Sequence, residues 1–213
     1  MTHVSPKGSP RRTAAWCSLT GRGTPATELA FCALVAVAVA GRLWQPEWQG
    51  VRLWNVTPLT AIALAAGALF PNRLLAAAAP LGALALSNVF EPQYGSWGIA
   101  IVVYAASAWP VLFGGLINRH RWAAVLGGAA AGSLVFFVAT NLAHWAFTSQ
   151  YELSPAGLAA CFTAALPFYR PLGDVGWSLA VFAAIVAVRE AHGVLSRRLH
   201  PLPAATAVAR RDA

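Results

Sequence analysis

Charge is what this sequence lacks most. Only 10% of its 213 residues are Asp, Glu, Lys or Arg, against 58% hydrophobic, where an ordinary soluble domain carries roughly 25% charged residues. A chain so short of polar surface cannot face water all round, which excludes a soluble enzyme and a solvated disordered chain. Lysine occurs once, at Lys7, and no basic stripe interleaved with aromatics lies on a solvent face. The net charge of +8 and the pI of about 10.5 therefore do not signal nucleic acid. The basic residues gather at the tails and between apolar runs, where anionic lipid head groups and topology control account for them. Cysteine is sparse too: Cys17, Cys32 and Cys161 form no C-x-x-C pair, so neither a disulfide framework nor a structural zinc site is readable. No metal and no cofactor is expected. No G-x-x-x-x-G-K-[ST] occurs, so ATP would have to be used by another subunit.

What is present is apolar sequence in runs of membrane length. Residues 1–26, rich in Ser, Thr, Pro, Gly and Arg, read as a disordered basic arm. Residues 27–196 form one transmembrane domain and residues 197–213 a basic tail. Six runs are expected to span: Glu28–Leu43, Trp54–Phe70, Leu74–Phe90, Trp97–Ile117, Trp122–Phe147 and Val175–Leu195. Breaks fall at Gln45-Pro46-Glu47, Pro71-Asn72-Arg73, Glu91-Pro92-Gln93 and Asn118-Arg119-His120-Arg121. Pro155–Tyr169 is apolar but too short to cross, and reads as an interfacial or re-entrant helix. Ala38-Val39-Ala40 before Gly41 resembles a signal-peptide cleavage site. Its basic leader is long, however, and Ala-rich helices produce A-x-A by chance, so the first span is expected to be retained.

Sidedness follows from the basic residues. With the N-terminus inside, Lys7, Arg11, Arg12, Arg22, Arg73, Arg119, Arg121, Arg189, Arg197, Arg198, Arg210 and Arg211 all fall inside, leaving Arg42, Arg52 and Arg170 outside. The expectation is six spans with both termini cytoplasmic. Trp44, Trp48, Trp54, Trp97, Trp145 and Trp177 fall near the outer ends and Trp122 at an inner one. An aromatic belt at the head groups covers most of these, and some could line an outward-facing pocket.

Polar side chains within spans are costly and so informative. Asn55, Thr57 and Thr60 open span two; Ser87, Asn88 and Glu91 close span three. Tyr104 and Ser107 lie in span four, Thr140, Asn141 and His144 in span five, and Asp174 at the start of span six. On the derived topology all converge on the outer half: Tyr104, for instance, lies ~10 Å below Trp97. A cavity open to the outside, walled by aromatics and lined by amides, hydroxyls and one or two carboxylates, suits a small polar-aromatic ligand better than a bare ion. Taken singly, each residue has a plainer reading. Asn, Ser and Thr within spans often only bond neighbouring helices, His144 suits an interface, and Glu91 and Asp174 suit helix ends. Their common depth is what argues for a pocket.

Other chemistries fail on geometry. His144 is outer and His192 inner, so they cannot share one haem. Ser133 precedes His144 by ~16 Å on one helix, too far for a serine-protease pair. No ionisable residue stands at the bilayer centre for a carboxylate relay. Small residues at Ala33, Ala36, Ala40 and Ala76 to Ala79 permit close helix packing, within the chain or against a partner membrane protein.

The chain also resembles a known group. Asn55-Val56-Thr57-Pro58-Leu59-Thr60-Ala61-Ile62-Ala63-Leu64 with Phe70 and Arg73 looks like the opening signature of an uncharacterised bacterial membrane family assigned to transport. Leu86-Ser87-Asn88-Val89-Phe90, Thr140-Asn141 with Trp145, Gly157-Leu158 with Cys161, Pro167-Phe168 and Gly173-Asp174 are similar to its later motifs, in order. The family pattern places an acidic residue where Asn88 stands, so no carboxylate role carries over there. That family in turn looks like the substrate-binding S components of energy-coupling-factor vitamin transporters. The resemblance implies six helices, cytoplasmic termini, and capture of a vitamin-like solute followed by reorientation against a coupling transmembrane protein with ATPase subunits.

The expected protein is thus an all-α, six-span, S-component-like bundle of the bacterial inner membrane that binds a small solute without turnover. Its expected pocket residues are Asn55, Thr57, Asn88, Trp97, Tyr104, Asn141, His144 and Asp174. Cys161 is a soft candidate ligand should the solute carry a metal, as a corrinoid does. Two other classes remain open. An intramembrane enzyme on a lipid-linked substrate would use Glu91, His144 and Asp174 as acid–base groups, and a non-catalytic assembly subunit would use the small-residue faces.

Overall fold

A computed structural model describes residues 24–44, 47–48, 50–53, 56–91 and 94–199. The basic arm, apart from 24–26, and the tail beyond 199 lie outside the described residues, as do Trp54 and Asn55. The elements run α1 (Pro25–Leu43), β1 (Glu47–Trp48), β2 (Val51–Arg52), α2 (Leu59–Leu69), α3 (Arg73–Ser87), α4 (Trp97–Ala108), α5 (Gly114–Phe147), α6 (Pro155–Ala165) and α7 (Pro171–Leu199). Short 3₁₀ turns at Trp109–Phe113 and Leu166–Phe168 follow α4 and α6. The strands form one small antiparallel ladder, Glu47 opposite Arg52 and Trp48 opposite Val51, with Gly50 at φ 76 in the turn. Only glycine adopts that φ without strain.

Capping chemistry fixes several starts. Thr24 accepts from the Thr27 amide, Pro25 occupies the first turn and Glu28 meets the positive helix end. Ser96 and Ser154 cap α4 and α6 through the Ile99 and Gly157 amides at 3.2 and 3.1 Å. Asn72 accepts from both Leu74 and Leu75 at the start of α3.

Four helical stretches are long and apolar enough to cross a membrane: Pro25–Leu43, Trp97–Ile117, Trp122–Phe147 and Pro171–Leu195. The chain is accordingly a multi-pass membrane protein, and its outward surface carries Leu29, Leu74, Trp97 and Leu172 at 72–86% exposure. The middle two stretches match the runs expected from sequence, but their junction differs. Helical hydrogen bonding continues through 118–121, and a straight 34-residue helix would reach about 51 Å. Instead a Cβ on Gly132 would lie 3.5 Å from the Pro110 ring, and one on Gly98 would lie 2.7 Å from Phe147. The two arms are therefore antiparallel.

The second expected span differs more. Residues 56–58 are not helical, and α2 begins only at Leu59. Pro58 is the cause, since its ring disfavours a helical residue before it and it cannot donate to a helix. At 11 residues, α2 is about 16 Å long, half the hydrocarbon thickness. It is nevertheless the hub of the bundle, buried along almost its whole length and packed against α1, α3, α5 and α7. A helix apolar all round belongs in such an interior. Irregular backbone at membrane depth is tolerated where protein covers it. Here Pro58 is buried against Gly41 of α1, and Val56 lies against Gly173 of α7.

One end of the bundle is tied by Arg73. Its Nη1 donates to the Gly67 carbonyl at 3.2 Å and to the Val111 carbonyl at 2.9 Å, satisfying the end of α2 and the 3₁₀ turn after α4 together. Arg73→Ala is expected to cost about 1.5–3 kcal/mol, read as a lower melting temperature in detergent, whereas ligand affinity at the opposite end should change little.

Candidate functional site

At the other end, where α1, α3 and α5 finish and α2, α4 and α7 begin, the bundle holds a cavity of about 440 Å³. That lies within the usual range for small-molecule sites. Along α5 its lining runs from His144 down to Ser133, about 16 Å at helical rise. The lower wall is the first turn of α2. Thr57, Leu59 and Thr60 line it, and among the described residues no side chain caps that helix end. A half-length helix whose N-terminus ends at a cavity is the arrangement by which many membrane transporters present a positive dipole end to a ligand or counter-charge.

The counter-charge is present. Asp174, in the first turn of α7, lines the cavity with the Thr60 and Ser133 hydroxyls beside it. Three helices thereby meet at one carboxylate. Phe137 and Tyr169 form another wall, 4.7 Å apart between centroids and tilted by 39°, and Phe162 packs edge-on against Phe137 at 5.7 Å and 84°. Asn141 donates through Nδ2 to the Phe137 carbonyl at 2.7 Å, which spends its donor on its own helix. At the rim, His144 Nε2 shares a 2.8 Å hydrogen bond with Gln150, and Trp145 donates to the Glu152 carbonyl. Both pin the 148–154 loop over the end of α5.

Cationic groups enter from the end of α1 and from the segment before α7. Arg42, in the last turn of α1, donates from Nε to Ser87 at 2.6 Å and from Nη2 to Asn88 at 3.1 Å, and it lines the cavity. Arg170 lines it just before α7, with its Nε buried and lacking a hydrogen-bond partner among the described residues. Asn88 is a hub: besides accepting from Arg42, its Nδ2 donates to Tyr104 at 3.2 Å and to Tyr94 at 3.4 Å. Burial pushes the Tyr94 phenol above its ordinary range, outweighing the lowering by Asn88 and the nearby Arg42 charge, so Tyr94 stays neutral at physiological pH.

Of the residues expected from sequence, Thr57, Asn141, His144 and Asp174 share this cavity. Asn88, Trp97 and Tyr104 instead line a neighbouring open groove with Val89 and Ile101, on the outer side of α3 and α4. Trp97 is 86% exposed there, a position suited to the head-group belt. The opposite stripe of α4, Ile99, Val103 and Ser107, faces the cavity. Asn55 lies outside the described residues. Cys161 is buried and donates to the Asn141 carbonyl at 3.6 Å, which uses it in packing α6 on α5. Among the described residues no group of three or more His, Cys, Asp or Glu side chains gathers to hold a metal.

Sequence reasoning placed Phe137 on one stripe with Asn141 and His144 but left Arg42, Arg170, Ser133 and Tyr169 out of the expected pocket. Both arginines carried a signal as basic residues on the side expected to hold few of them. Ser133 is the polar residue in a Gly/Ala run, a position that calls for a partner on another helix.

A multi-pass helical bundle with a polar-aromatic cavity at one end is the class of protein that this geometry defines. Within that class, the chain belongs to a family of unknown function (DUF6580), whose model matches residues 24–197. No curated protein and no solved structure matches it.

Proposed function

We propose that this protein is a solute-binding membrane subunit of the S-component kind. It captures a small vitamin-like molecule at the outer face of the bacterial inner membrane and passes it to a coupling transmembrane protein with ATPase subunits. In this reading α2 and α3 complete six crossings, and both termini lie in the cytoplasm. Binding without turnover is the role assigned.

The observation that carries the reading is the cavity itself. Groups from six helices and the segments between them converge in it, with hydroxyls, an amide and two carboxylates beside a wall of rings. Such a site orients a ligand by a few placed polar groups and holds it by apolar contact. Glu91, His144 and Asp174 all line it as well, which keeps an enzyme acting on a lipid-linked substrate as the second reading. Turnover by the purified protein, abolished by His144→Ala with binding retained, would favour that reading.

The test is to purify the protein from its native host in mild detergent and identify bound small molecules by mass spectrometry, with Asn141→Ala alongside. A stoichiometric vitamin-like compound is expected in the wild type. Asn141→Ala should weaken its retention at least tenfold, about 1.4 kcal/mol. A preparation with no small molecule and a constant protein partner would instead indicate an assembly subunit.

A further inference from the structure

We infer that the ligand of this cavity is an organic monoanion: a carboxylic acid on a flat ring system, with its carboxylate on Arg170 and an N–H donor on Asp174. This inference rests on the solute-binding reading above and names its substrate class.

Arg170 carries the argument. Its guanidinium cannot shed its proton, yet Nε is buried in the cavity wall without a hydrogen-bond partner among the described residues. Leaving a buried, charged N–H unmade is costly, so the site is complete only when an acceptor arrives. Nε–H and the adjacent Nη–H form a planar fork matched to the two oxygens of a carboxylate. An arginine near a membrane interface ordinarily extends its head to lipid phosphates. Burial of Nε inside the bundle points Arg170 inward instead.

Four residues further on, about 6 Å along the chain at helical rise, stands Asp174. The Thr60 and Ser133 hydroxyls lie beside it, and a carboxylate offers about four acceptor positions, more than two hydroxyls can fill. Asp174 lines the cavity, which leaves an acceptor position for an N–H of the ligand. The Phe137–Tyr169 wall lines the same cavity as the two charges, which favours a flat body. A doubly charged phosphate fits less well, because it would stand one turn from Asp174 in a cavity that Glu91 also lines, where like charges repel with little screening. A single negative charge avoids most of that repulsion.

The experiment uses the full chain from its native host in nanodiscs, prepared both with and without phosphatidylglycerol. Benzoate, nicotinate, quinoline-2-carboxylate and indole-3-acetate are each compared with their own primary amides by competition against the co-purified solute, whose identity is read by mass spectrometry. The expected solute is an aromatic acid, and acids should compete at least tenfold better than amides. In Arg170→Gln that preference should collapse to within twofold while amide affinity holds, and the unliganded variant should melt no lower than wild type. Arg170→Lys, which keeps the charge and loses the fork, should fall between. A neutral or cationic solute, equal competition by acids and amides in the wild type, or undiminished acid preference in Arg170→Gln would overturn the inference and leave solute binding standing. An Arg170 effect seen only with phosphatidylglycerol would make it a lipid anchor and overturn the inference equally. Failure of every preparation to retain a solute or bind a probe would overturn the solute-binding reading, and this inference with it.

Discussion

Asp174→Ala is expected to abolish solute retention and also lower the melting temperature, two losses with separate causes. The Thr60 and Ser133 hydroxyls stand beside the Asp174 carboxylate, so alanine strips the polar contact that joins α7 to α2 and α5. Hydrogen bonds to a charged group contribute about 1.5–3 kcal/mol each. Ser133 recovers part of its share by bonding back to its own helix, which places the net loss nearer the lower figure. Ligand loss is larger, because the vacated carboxylate position leaves the ligand's N–H donor without a partner in a buried site. A decrease of about a hundredfold, about 2.8 kcal/mol, is expected. Asp174→Asn separates the effects. The amide oxygen still accepts from a hydroxyl, so melting should remain within a few degrees of wild type, while the missing charge weakens the solute about tenfold or more. Melting curves and equilibrium dialysis on both variants give the answer. Full solute affinity in Asp174→Ala would reduce Asp174 to a residue that starts α7.

The sequence exposed the site only partly, and the reasons are physical. Thr57, Asn141, His144 and Asp174 stood out because a polar side chain is rare in an apolar span, and their shared depth required no knowledge of helix rotation. Rotation is where α4 escaped. Trp97, Ile101 and Tyr104 form one stripe and Ile99, Val103 and Ser107 another, both predominantly apolar, and a membrane reverses the usual rule that the apolar face turns inward. The structure turns the second stripe to the cavity and leaves Trp97 facing outward. Arg42 and Arg170 were legible as charges on one side of the membrane, yet their roles depend on where loops return, which no spacing records. Ser133 acquires its partner only when α7 packs on α5. The shortness of α2, in contrast, was encoded locally: Pro58 sits inside the expected second span and sets the helix start one residue later.

Gly114→Ala is expected to cause the largest loss of folded protein of any single methyl added to this chain. A Cβ on Gly114 would fall onto the Gly67 carbonyl and the Ala68 amide, and one on Gly67 would fall onto the Val111 carbonyl. These are backbone atoms and cannot swing aside as a flexible side chain would. Overpacking a core costs about 1–3 kcal/mol where side chains adjust, and more where backbone must move. Here separation would also break the Arg73 bridge, because its acceptors are the carbonyls of Gly67 and Val111. Gly67→Ala should behave alike. The controls lie in the same bundle: Gly82 in α3 and Gly127 in α5 have nothing within 4 Å of a built Cβ. There the change to alanine should be neutral or stabilise by about 0.5–1 kcal/mol, through helix propensity alone. Monodisperse yield and melting temperature across the four variants decide the matter. Wild-type behaviour of Gly114→Ala would mean that α2 and the turn after α4 do not touch, and the half-length helix would lose the support that holds its other end at the cavity.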